Sequence, residues 1–122
     1  MSQPANTTRL PLVQVKSVPP ATWAEMARDC NLALTLAEYG SPTGALSDAL
    51  RDRLRGYITD HLAEPARQYA ASLTDAHRRA NAEASVQSAL GVAATQGGDP
   101  QALLRLLGKA AGLLMRYAGV PR

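Results

Sequence analysis

The stretch Ala45–Leu73, ALSDALRDRLRGYITDHLAEPARQYAASL, decides the fold. Its apolar residues recur at Leu46, Leu50, Leu54, Tyr57/Ile58, Leu62, Ala66, Tyr69 and Leu73. Those steps keep them on one face of a helix. At about 1.5 Å per residue the helix runs roughly 40 Å. A stripe of that length is driven out of water, so other helices must cover it. Two residues disturb the rod. Gly56 costs about 1 kcal/mol against Ala inside a helix. Pro65 has no N–H for the carbonyl of His61, and its ring crowds that oxygen. The helix should therefore bend or break, with a split expected near Ala63–Pro65.

The flanking segments supply the cover. Upstream, Thr22-Trp23-Ala24-Glu25 fits a capping box and predicts a first helix from about Pro20 to Tyr39. Trp23, Met26/Ala27, Cys30, Leu34 and Ala37 form its apolar face, which Leu32 and Leu36 widen. Asp29 and Asn31 flank Cys30 and are expected to face outward. Gly40 suits the C′ position, and Ser41 or Thr43 is expected to cap the helix that follows. Downstream, a third helix should start near Ser72–Thr74 and run to Gln96. Its apolar stripe is light: Ala76, Ala80, Ala82/Ala84, Val86, Ala89/Leu90 and Ala93. Gly97-Gly98 ends it. Asp99-Pro100 pairs a capping acid with a proline at the first helical position, the strongest start signal in the chain. The fourth helix presents Leu103, Leu106/Leu107, Ala110, Leu113/Leu114 and Tyr117, and Gly119 closes it.

The expected architecture is all-α: an antiparallel four-helix bundle over residues 20–119, with a Pro-bent second helix, an extended N-terminal arm over 1–19 and a short tail over 120–122. Pro4, Pro11 and Pro19 in the arm, with Pro20 at its junction to the bundle, oppose a helix there. LPLVQVKSV within it partly alternates, which fits an arm lying along the bundle or an edge strand for a partner.

Composition agrees with this fold and narrows function. The chain has 122 residues, no Phe, one Trp and four Tyr, so an Ala- and Leu-rich aliphatic core must hold it. The single Cys30 excludes an intrachain disulfide. No apolar run reaches the ~18–20 residues of a membrane span, and the first residues lack the order of a signal peptide. A cytoplasmic protein without a membrane partner is expected. The formal net charge of +3 is mixed rather than gathered. High Ala and Arg with little Lys suggest a GC-rich genome, as in actinobacteria.

Chemistry-bearing residues are sparse. His61 falls on or beside the buried stripe, near Asp60 and Glu64; His77 falls in the first turn of the third helix beside Arg78 and Arg79. A zinc site takes three or four ligands, and a di-iron bundle needs Glu-x-x-His pairs that neither histidine has. No metal and no cofactor are expected, and no catalytic residue is assigned. Cys30 reads as a small buried hydrophobe. If the bundle holds a ligand, Tyr39, Tyr57, Tyr69 and Tyr117 with His61 are the candidate pocket, each offering an apolar ring and a polar tip. Asp48 and Asp52 are spaced to pair with Arg51 and Arg55 at i+3, while Arg53 lies on another face. Arg105, Lys109 and Arg116 form the candidate basic face of the fourth helix, without the interleaved aromatics of a single-strand binder.

Two segments, LRDRLRGYITDHLAEPARQYAASL (Leu50–Leu73) and LLRLLGKAAGLLMRYAG (Leu103–Gly119), resemble a family of small actinobacterial helical proteins of unknown function linked to natural-product biosynthesis. The resemblance rests on the step Arg55-Gly56-Tyr57-Ile58 and on a final apolar helix ending in Tyr117. It covers roughly Leu46–Gly119 and carries over no catalytic residue. It implies a pathway context.

The expected function is that of a small non-catalytic helical-bundle interaction module. Wide apolar faces on the first and fourth helices exceed what one neighbour covers, which points to a homodimer or another protein partner. The alternatives are a ligand-binding or catalytic accessory, with a small molecule near His61 and the tyrosines, and a nucleic-acid-associated regulator, for which the scattered charge is the weaker footing.

Overall fold

The computed structural model describes residues 22–119. The expected N-terminal arm and the tail lie outside them. The described residues form an all-α bundle: α1 (Trp23–Tyr39), α2 (Ala45–Gly56), a π-helical segment (Tyr57–Leu62), α3 (Ala63–Ser72), α4 (Ala76–Ala94) and α5 (Pro100–Ala118). Among these residues no helix is long and apolar enough to cross a membrane.

The central rod runs from α2 through the π segment into α3, and Pro65 leaves its mark just upstream of itself. Ala63 N–H reaches back to the Ile58 carbonyl, five residues away instead of four. That wider turn takes up one extra residue and re-registers the ladder before the proline, whose missing N–H and ring would otherwise fall against the His61 carbonyl. The backbone stays right-handed helical across the junction at Leu62 and Ala63. The interruption expected near Ala63–Pro65 is thus a change of helix type.

Capping follows the sequence at two helix starts. Thr22 Oγ1 accepts from Glu25 N–H at 3.0 Å while Glu25 Oε1 accepts from Thr22 N–H at 2.9 Å. Asp99 accepts from Ala102 N–H at 3.1 Å, with Pro100 in the first turn. For α4 the cap is Asp75, which accepts from Arg78 N–H at 2.8 Å. The start is therefore slightly later than Ser72–Thr74, and the helix ends at Ala94, before Gln96. At α2 the expected Ser41 or Thr43 cap is replaced by Gly44, whose φ of 105° is open to glycine and costly for other residues. Ser41 Oγ donates to the Thr43 carbonyl at 3.0 Å instead. Ser47 Oγ and Arg51 Nη1 then clasp the turn from inside α2, donating to the carbonyls of Ser41 at 2.5 Å and Pro42 at 2.6 Å.

The core sits where the rods converge. Leu50, Leu54, Ile58, Leu62, Leu104, Leu107 and Leu114 are all fully enclosed, as is Val86. Each such aliphatic side chain contributes about 1.5–3 kcal/mol against its exposed state. α5 is the hub against which the other rods pack. It lies closest to α1, because Gly108 has no side chain: a Cβ there would stand 3.2 Å from Ala33 Cβ and 3.3 Å from the Cys30 carbonyl. Gln101 Nε2 donates to the Ala37 carbonyl at 2.5 Å, and the Trp23 ring lies over Gly119. The start of α5 therefore meets the end of α1 and its end meets α1's start, so the two run in opposite directions.

Three parts of the expected stripes shift. Leu46 is exposed, because the rod turns Ser47 inward to hold the 41–44 turn. On α4 the buried positions are Ala82, Val86, Ala89 and Ala93, whereas Ala76, Ala80 and Ala84 face out. Asp29, expected on the surface of α1, is buried.

Candidate functional site

Three places on the bundle gather chemistry. The first is the contact of α1 with the central rod. Asp29 lies one turn after Met26 and one before Ala33, on the buried arc of α1. Arg53 Nε donates to its Oδ2 at 3.0 Å and Arg53 Nη2 to Oδ1 at 3.4 Å. Tyr57 hydroxyl donates to Oδ2 at 2.5 Å. Burial alone would push the Asp29 carboxyl up. The hydrogen bonds from Arg53 and Tyr57, with the attraction of Arg53 and Arg28, outweigh it and hold the carboxyl below its ordinary value. Burial, then the hydrogen bond to Asp29 and its charge, push the Tyr57 hydroxyl up to about 12. The bond to Asp29 also raises the Arg53 guanidinium. At neutral pH the trio is therefore carboxylate, guanidinium and neutral phenol. That arrangement joins two helices; it leaves no basic atom free to take a proton. Cys30 beside it is buried, and burial with the Asp29 charge pushes its thiol up to about 11, so it stays an unreactive thiol.

The second place is an open groove of about 230 Å³ between α4 and α5. Ala89 and Val92 on α4 face Leu106, Ala110 and Leu113 on α5, with Lys109 at the rim. Leu106 is 50% exposed although the next residue, Leu107, is fully buried. The third is a hollow of about 270 Å³ at the junction of α3, α4 and the end of α5. Tyr69 and Tyr117 stack there, their ring centres 5.0 Å apart. Leu73, Arg78, Asn81 and Ala82 complete the lining.

The tyrosines expected to share one pocket therefore divide. Tyr69 and Tyr117 meet. Tyr57 is spent on Asp29, and His61 stands on the exposed side of the rod, its ring 6.4 Å from that of Tyr57. Tyr39 projects from the end of α1, 85% exposed. The basic face divides too: Arg105 lies 3.6 Å from Glu38, while Lys109 and Arg116 are exposed. His77 is on the surface, 3.4 Å from Asn81 Nδ2. Asp48 pairs with Arg51, and Asp52 with Arg55 at 3.2 Å, as the i+3 spacing predicts. Among the described residues no three His, Cys, Asp or Glu side chains group as metal ligands would. No family model, curated protein or solved structure matches the chain.

Proposed function

We propose that the protein is a non-catalytic interaction module that associates with a second copy of itself through the groove between α4 and α5. The observation that carries this reading is Leu106: a large aliphatic side chain half in water, beside a hollow floored by Ala89 and Ala110. A two-fold interface needs a patch complementary to itself. Here a protruding leucine and a hollow floored by small residues lie on the same face, so Leu106 of each copy can enter the hollow of the other. Ser85, Ser88 and Lys109 supply the polar rim such a patch needs to stay in solution when unpaired. The spent chemistry of Asp29, Arg53 and Tyr57 supports the non-catalytic half of the proposal. The resemblance of Leu50–Leu73 and Leu103–Gly119 to small actinobacterial proteins suggests a setting among natural-product enzymes, which the neighbouring genes would test.

Light scattering across a wide concentration range should give a mass approaching twice 12.9 kDa. Leu106→Glu should return it to the single-chain mass with little loss of stability, since exposed substitutions usually stay within about 0.5 kcal/mol. A single-chain mass at every concentration would remove the proposal.

A further inference from the structure

The hollow at Tyr69 and Tyr117 lies apart from the proposed self-association groove and combines features that groove lacks. Its two tyrosines come from different rods, α3 and α5, yet stack with an interplanar angle of 25°. Both are half-buried, so their ring faces and edges wall the hollow without closing it. Leu73 and Ala82 add apolar surface. The lining carries one charged side chain, the cation Arg78. Arg78 is exposed, and among the described residues its guanidinium has no ion pair. Arg79 donates to the Leu73 carbonyl at 2.9 Å, beside the hollow. Arg116 precedes Tyr117 on α5 and is exposed. Asp75, three residues before Arg78, has its carboxylate occupied as the cap on the Arg78 N–H. Asn81 offers a carboxamide one turn beyond Arg78, shared at 3.4 Å with His77.

We propose that this hollow binds an amphipathic organic anion, an aryl carboxylate in chemical class. The aromatic part lies against Tyr69, Tyr117 and Leu73. The carboxylate meets the planar fork of Arg78, whose paired N–H groups match two carboxylate oxygens, and Asn81 donates alongside. A volume of about 270 Å³ suits a one- or two-ring acid. A cationic ligand is disfavoured by Arg78, and an inorganic anion leaves the aromatic wall unused.

The test is a nuclear magnetic resonance titration of the full chain with naphthoate, naphthylmethylammonium and inorganic phosphate. Naphthoate should saturate and shift the amides of Leu73, Arg78, Asn81 and Tyr117, and the other two probes should leave them in place. Arg78→Gln keeps the backbone cap and should weaken naphthoate about tenfold, the size of one charge-assisted contact. Tyr69→Leu, which keeps a large apolar side chain at this half-buried position but removes the ring, should weaken it comparably. Shifts centred on Val92 and Leu106, equal binding of the ammonium probe, or an unchanged titration in Arg78→Gln would each overturn the proposal. Leu106→Glu should leave naphthoate binding unaltered, so this result and the mass measurement stand or fall separately.

Discussion

The close approach of α1 to α5 makes opposite demands on two glycines of one helix. Replacing glycine by alanine inside a helix gains about 1 kcal/mol from backbone propensity alone. At Gly112 a new Cβ meets nothing within 4 Å, so Gly112→Ala should keep that gain. At Gly108 the same methyl would stand 3.2 Å from Ala33 Cβ, 3.3 Å from the Cys30 carbonyl oxygen and 3.3 Å from Leu34 Cδ2. Leu34 is half-buried and can turn aside. The other two atoms are fixed to the α1 backbone and give only if the helix moves. Forcing an extra carbon into a close-packed interface costs about 1–3 kcal/mol. Gly108→Ala should therefore fall between neutral and about 2 kcal/mol less stable, separated from Gly112→Ala by about 1–3 kcal/mol. Urea unfolding followed by circular dichroism measures both, and an unchanged urea slope would show that only stability has moved. Because both sites share α5, the propensity gain cancels in the comparison. Equal stability of the two variants would refute the claim that α1 and α5 touch backbone to backbone at Gly108.

Three further tests address electrostatics and capping. Asp29 has a folded-state pKa below its ordinary value of 3.8, so its contribution is present above about pH 4 and is lost as pH falls through the folded value. Unfolding midpoints should therefore fall less steeply in acid for Asp29→Asn than for the wild type, and parallel curves would count against the buried trio. At the alkaline end the Tyr57 pKa is raised to about 12. Its contribution is full below about pH 10 and declines as pH rises through 12, a decline that Tyr57→Phe should remove. Asp99→Ala should cost about 1 kcal/mol by freeing the Ala102 N–H, readable in the same urea assay; no loss would mean that the cap contributes nothing.

The helices were legible in the sequence because their signals are local. A capping threonine with glutamate three residues on, an Asp-Pro step and leucines at helical spacing each act within a turn or two. The site features were less legible, and Asp29 explains why. It stands about 60° around the helix from Met26 and about 40° from Ala33, inside an apolar arc that is commonly more than 100° wide. A charged residue at that angle can snorkel to solvent or be covered, and the choice belongs to its partners. Here they are Arg53 and Tyr57, 24 and 28 residues downstream. No local pattern announces that meeting; only the docking of α1 on the central rod creates it. The same uncertainty of phase governs α5. Leu106 and Leu107 are equivalent as letters, and a stripe drawn through either is a good helix face. Packing against α1 and the central rod encloses Leu107 completely and leaves Leu106 half in water. The proposed self-association thus depends on a rotation of one residue step, about 100°, which tertiary contacts decide. Burying Leu106 requires something more than this chain's described helices, which is why the decisive measurement is a mass and not another melt.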